Sequence, residues 1–292
     1  MDNNLFSDLE NLGFKDTNQL NIYQNSESKA ADTVKPEEKA VDEDSLLYDR
    51  TVTCPVCGSV FKARSVKNSS YRIEEKQSDY FIRYSIVNPY FYDVWLCNDC
   101  GYAAMKSEFD KIKEFQKDSV KTNISSKWHG KDYGQIYDLD IAIERYKLSL
   151  LNFTVINAPA SKKAMNCLKI AWMYRIKGDA EKEMTFLKNA LEGFNTAFSN
   201  ERCPIFGMDL HTLTYLIGEL NRRVGNYEEA LLWFSKVITA IGVDQKLKEK
   251  ARTQKDLIKE ARLLEGKDIT IEEIEAKQEE TKKKGGFFSK FK

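Results

Sequence analysis

The chain has 292 residues, 45 basic and 45 acidic side chains and 42% hydrophobic content, enough for one large globular domain or two ordinary ones. Balanced charge excludes a whole-chain field that would recruit nucleic acid or a membrane surface. The opening MDNNLFSDLE places acids where a secretory signal needs a basic start, and no stretch reaches the ~18 apolar residues of a spanning helix. A cytoplasmic protein in a reducing compartment is expected.

Residues 1–47 read as a disordered acidic head. Residues 1–45 carry eleven acids against four lysines, and SESKAADTVKPEEKAVDED is too polar to bury. Within it, Leu5, Leu9 and Leu12 recur at helical spacing beside Phe6, the pattern of a short partner-binding helix or of a fraying tail.

Residues 48–105 change to a strand rhythm. Tyr80, Ile82, Tyr84 and Ile86 alternate with Phe81, Arg83, Ser85 and Val87, Asn88-Pro89 is a turn signal, and FYDVWLC runs as a further strand. Two cysteine pairs frame this β module, Cys54-x2-Cys57 and, after thirty-nine intervening residues, Cys97-x2-Cys100. A two-residue gap lets both sulfurs of a pair reach one ion, and the following Gly58 or Gly101 permits a tight turn whose amides point at the thiolates. Two such turns brought together by strands supply a closed four-cysteine site, and zinc is the leading occupant. Iron ranks second, because sulfur ligands alone do not separate the two metals. A thiol–disulfide pair ranks third, since neither pair opens a helix in a βαβ setting. Cys167 and Cys203 lie far from both turns and read as ordinary buried cysteines.

The module has seven basic and five acidic side chains between residues 50 and 105, and a zinc tetrathiolate offsets that small excess. A phosphate-binding surface normally leaves a clear basic footprint, so nucleic acid is disfavoured as a partner. The aromatics Tyr80, Phe81, Tyr84, Tyr90, Phe91, Tyr92 and Trp95 fit a core better than a base-stacking platform. Arg83 is placed to pair with Asp79.

Residues 106–265 turn helical. Leu210, Leu213, Ile217, Leu220 and Val224 share a face; Asn226 and Glu229 form a capping-box pattern; Ala230, Leu231, Phe234, Val237, Ile238 and Ile241 line the next helix. The stretch TYLIGELNRRVGNYEEALLWFSKVITAIG resembles a tetratricopeptide repeat, with Gly218 and Ala230 at small-residue positions and Phe234 at an aromatic one. Residues 167–191 are a looser copy, with Ala171, Tyr174 and Gly178-Asp179 in place and Glu183 at a small-residue position; Ala142 and Tyr146 mark a half-copy. An insertion around Gly193–Pro204 separates the copies, and Leu247–Leu264 reads as a polar-faced capping helix. Such a stack offers a face to a protein or peptide partner, or serves only as scaffold.

Residues 266–292 are a charged helix followed by KKKGGFFSKFK, where Lys282, Lys283, Lys284, Lys290 and Lys292 surround Phe287, Phe288 and Phe291. Lysines beside short aromatic runs suit peripheral contact with an anionic leaflet, at the inner membrane face. A solvated tail, or docking on an acidic surface such as the head, is the alternative.

TCPVCGSVFKARSVK, VNPYFYDVWLC and NDCGYAA together resemble the bacterial family known as domain of unknown function 2225. The resemblance spans residues 48–265 and is specific at Cys54, Pro55, Cys57, Phe61, Asp79, Asn88-Pro89, Tyr92, Cys97, Cys100, Gly101, Tyr102 and Ala103. It implies zinc and the bacterial cytoplasm, and supplies no activity. No phosphate-cradling loop, nucleophile elbow or HExxH is present, and the two histidines, His129 and His211, lie on different segments. The expectation is an α+β protein, a zinc-binding β module followed by tetratricopeptide-like helices, acting as a non-catalytic adaptor. A nucleic-acid-binding zinc ribbon, or an enzyme using Asp79 or a tyrosine near the β module, is the alternative.

Overall fold

The computed structural model describes residues 43–264. The readings of a partner helix at Leu5–Leu12, a charged helix at 270–281 and a membrane contact through Lys282–Lys292 fall outside these residues. The class is α+β: three antiparallel strand pairs precede seven α-helices. The described chain divides into two compact units, one ending at Arg202 and one beginning at Cys203. Among the described residues no helix is long and apolar enough to cross a membrane.

In the first unit a 3-10 turn, Glu43–Leu46, leads into β1 (Leu47–Thr53), which pairs with β2 (Val60–Val66) from Leu47↔Val66 to Thr53↔Val60. The base of this hairpin is held by apolar packing of Leu47 on Val87 and Tyr92. β3 (Tyr71–Lys76) pairs with β4 (Ile82–Ile86). The alternating run expected over 80–87 is therefore shorter than its pattern: Tyr80, with φ of 67°, lies outside the extended region a strand needs, and β4 stops at Ile86, whose φ of 75° turns the chain away. FYDVWLC is likewise not one strand. Pro89–Tyr92 form a 3-10 turn capped by Asn88, whose Oδ1 accepts from the Tyr90 amide at 3.0 Å, and only β5 (Val94–Leu96) is extended. β5 pairs with β6 (Ala103–Met105), which is fully buried.

α1 (Glu114–Val120) runs into a π-helical turn, Lys121–Ser125. α2 (Leu139–Val155) starts at Asp138, whose carboxylate caps the Ile141 amide, and packs on β5 and β6. α3 (Ala160–Lys177) ends at Gly178 with φ of 79°, the left-handed stop of many helices. α4 (Ala180–Asn200) then folds back on α3, with Tyr174 stacked on Phe186 at 5.6 Å. Glu183 is accommodated by an ion pair with Arg175 at 2.6 Å. The long separation of the two helix pairs arises from the 21 residues of α4 and the loop that follows it.

In the second unit α5 (Leu210–Arg223), α6 (Tyr227–Thr239) and α7 (Gln245–Leu264) pack together. Leu213, Ile217 and Leu220 face inward, as the periodicity predicts. Gly218 lets α6 approach closely: a Cβ there would lie 2.9 Å from the Phe234 ring. Three details differ from the sequence pattern. Leu210, expected on the inward face, is exposed at the start of α5. Asn226 precedes α6 without a side-chain cap bond, its amide turned toward Asn221, so no capping box forms. Ile241 is 96% exposed, because α6 stops at Thr239 and Gly242, with φ of 79°, redirects the chain.

Candidate metal centre

The two cysteine pairs occupy equivalent turns. Each is a six-residue connection between paired strands, Cys54–Ser59 closing Thr53↔Val60 and Cys97–Tyr102 closing Leu96↔Ala103. Each turn has the same backbone bonds. The Gly58 amide donates to the Cys54 carbonyl at 2.9 Å and Gly101 to Cys97 at 2.8 Å; the Cys54 amide donates to Ser59 at 2.8 Å and Cys97 to Tyr102 at 2.9 Å. Both glycines have φ between 73° and 79°, a left-handed conformation that costs other residues energy. The sequence CxxCG thus dictates its own knuckle.

Folding brings the knuckles face to face. The four Sγ atoms lie within 4.8 Å of one another, with Cys54–Cys100 at 3.6 Å and Cys57–Cys97 at 3.5 Å. These separations are too long for disulfides, whose sulfurs sit about 2.05 Å apart, and the cysteines are free thiols. Tetrahedral coordination with sulfurs about 2.3 Å from the metal places them roughly 3.8 Å apart, so the donor set fits one ion. Cys54, Cys97 and Cys100 are buried, while Cys57 is exposed and contacts Ser59 Oγ at 3.2 Å.

Crowded thiols cannot all ionise without a cation. The Cys100 thiol, then Cys97 and the amides of Cys57 and Val56, hold Cys54 down to about 4. Cys100 is pushed well up, first by its bond to Cys54. Cys97 is drawn down by Cys100 yet ends above its ordinary value through its bond to Cys54 and burial. A bound dication reverses this pattern by stabilising all the thiolates together. Sulfur donors suit zinc and iron alike.

The other expected residues lie elsewhere. Cys167 is buried in α3, where burial raises its thiol, and Cys203, outside the cluster, is only half-buried where burial was expected. Asp79 does not pair with Arg83, which reaches Glu75 at 3.6 Å. The Asp79 carboxylate is fully buried and accepts from Arg175 Nη2 at 2.8 Å, Arg175 Nη1 at 3.2 Å and Trp172 Nε1 at 3.0 Å. Burial works to lower Arg175, but its bonds to Asp79 carry it above the usual arginine range. The pair bolts the β3–β4 turn to α3. Phe81, Tyr92 and Trp95 are buried, and the Phe81 and Tyr90 rings pack on Trp172.

Sequence reasoning missed the groups that hold the second knuckle. Ser125 Oγ donates to the Cys100 carbonyl at 2.8 Å, Asn152 Nδ2 to the Gly101 carbonyl at 3.2 Å, and Trp128 Nε1 to the Asn98 carbonyl at 2.7 Å. No local motif marks these residues; only the packing of α2 and the π-helical turn reveals them.

A family model described as an uncharacterized protein conserved in bacteria (DUF2225) matches residues 47–258, from the start of β1 into α7. The chain belongs to this family. The match takes in both knuckles and the elements that pack around them. No curated protein and no solved structure matched the chain.

Proposed function

We propose that this family member is a non-catalytic scaffold whose four cysteines hold one structural zinc ion and whose helices bind a protein or peptide. The observation that carries the zinc reading is the pair of equivalent knuckles with four sulfurs within 4.8 Å. Closed all-cysteine sites of this kind are predominantly structural zinc sites, and zinc bound there contributes directly to folding. Cys54, Cys57, Cys97 and Cys100 would hold the ion; the turn amides offset thiolate charge.

The partner-binding reading draws on the helix pairs α3–α4 and α5–α6. Gly218 lies close against Phe234, and Ala171 and Ala230 are buried; small residues at such positions are expected of tetratricopeptide-like pairs, which commonly present surfaces to peptides. The basic-aromatic tail would bring such a scaffold to an anionic membrane face.

Elemental analysis tests the first part: one zinc per chain is expected from zinc-replete cells, and iron or no metal overturns it. Affinity capture from bacterial lysate tests the second. A protein recovered in near-equal amount is expected; recovery of RNA alone counts against the scaffold.

A further inference from the structure

The two knuckles share a backbone geometry but not an environment. The second is clamped by groups from outside its own turn: Ser125 on the Cys100 carbonyl, Asn152 on the Gly101 carbonyl, and Trp128 on the Asn98 carbonyl. The Lys131 amide also donates to Asn98 Oδ1 at 2.8 Å. Trp128 lies so close under Gly101 that a Cβ there would be 2.7 Å from its ring. The strand that follows, β6, has no exposed surface.

The first knuckle buries Cys54 and Val56 but lacks these external clamps. Among the described residues, no side chain from outside Cys54–Ser59 hydrogen-bonds its backbone. Nothing lies within 4 Å of where a Gly58 Cβ would be, and Val60 is 66% exposed. The β1–β2 strands are anchored through Leu47, through Arg64 Nε donating to the Gln135 carbonyl at 3.1 Å and, next to the tip, through the buried Val52 and through Phe61 edge-on to Phe109. The tip meets the second knuckle through sulfur, Cys54 to Cys100 and Cys57 to Cys97.

We propose that the centre is built from a preformed half and a closing half. Cys97 and Cys100 are presented as a held pair, with Ser125, Trp128 and Asn152 as positioning residues, whether or not a metal is bound. The Cys54–Ser59 tip is held against them only in the metal-bound chain. A turn that receives no hydrogen bonds from the rest of the fold opens locally more readily than one that is clamped, and ligand-orienting partners typically alter metal affinity by about 10–100-fold. The hairpin tip becomes a metal-dependent latch, with Cys57 at its solvent edge. This rests on the zinc reading above.

Amide hydrogen exchange on the full chain, zinc-loaded and then stripped with a chelator, tests it. On stripping, amides across Cys54–Val60 should lose roughly tenfold or more of their protection, while those across Cys97–Met105 change by less than about threefold. Alkylation of the stripped chain should modify Cys54 and Cys57 ahead of Cys97 and Cys100. Ser125→Ala should weaken zinc retention against a chelator by about tenfold with circular dichroism unchanged, and Ser125→Thr, which keeps the hydroxyl, should restore it. Equal loss of protection at both knuckles, or a Ser125→Ala chain that holds zinc as tightly as the parent, overturns the proposal while leaving the zinc reading intact. Absence of zinc from the purified chain overturns both.

Discussion

Gly58 and Gly101 occupy the same place in equivalent turns, yet replacing each with alanine should have different consequences. Gly58 has φ of 79° and open space where a Cβ would go, so Gly58→Ala meets only the left-handed backbone cost, about 1–2 kcal/mol. The unclamped tip can relieve that strain once metal is removed. The cost should therefore appear as lost zinc affinity, roughly 5–30-fold at 1.4 kcal/mol per tenfold. Gly101 has φ of 73°, and its Cβ would also fall 2.7–2.9 Å from the Trp128 side chain. Trp128 is 9% exposed and tethered to Asn98 at 2.7 Å, so it cannot retreat, and overpacking adds about 1–3 kcal/mol. Because the helix-backed turn persists without metal, this cost should lower the urea midpoint of the stripped chain and change zinc affinity by less than about fivefold. Chelator competition and urea titration on both variants are the assays. Gly58→Asn, which tolerates the left-handed region, should hold zinc nearly as tightly as the parent. Equal affinity losses for the two alanine variants, or a larger loss at Gly101, would refute the reasoning.

Asp79→Ala should destabilise the first unit by about 3–5 kcal/mol, because it removes a fully buried carboxylate bonded to Arg175 and Trp172; urea unfolding followed by tryptophan fluorescence measures this, and a loss under about 1 kcal/mol would contradict it. Gly218→Ala gains about 1 kcal/mol of helix propensity, yet its methyl would lie 2.9 Å from Phe234 and 3.1 Å from Trp233, so a net loss of midpoint is expected, and a more stable variant would show that α5 and α6 have room to part. Asp209→Ala should cost about 1 kcal/mol, since the carboxylate accepts the Thr212 amide at 2.7 Å at the start of α5. Bonds from the Thr212 side chain and amide hold that carboxyl below its ordinary value, so its contribution is complete above the unfolded aspartate range and fades as pH falls through the folded value. The difference between parent and variant in urea midpoint should shrink at low pH and stay constant above neutrality.

The sequence by itself determined the parts whose cause is local. CxxCG specifies a knuckle, because the cysteine spacing and a glycine at positive φ are both properties of one turn. Helical periodicity located α5 and α6 and their buried face, because burial of Leu213, Ile217 and Leu220 follows from a 3.6-residue repeat. Local signals failed where backbone conformation breaks a side-chain pattern: Tyr80 looks like a strand residue but sits at positive φ, and Ile241 keeps helical spacing past the end of its helix. The tertiary structure alone decided which groups meet across long separations. Asp79 finds Arg175, 96 residues away, rather than nearby Arg83, because the β3–β4 turn is packed on α3. Ser125, Trp128 and Asn152 clamp only one of two equivalent turns, because α2 packs on β5 and β6 and the segment before it reaches the second turn and not the first. A contact between distant segments depends on how whole elements pack, and no single turn or helix encodes it.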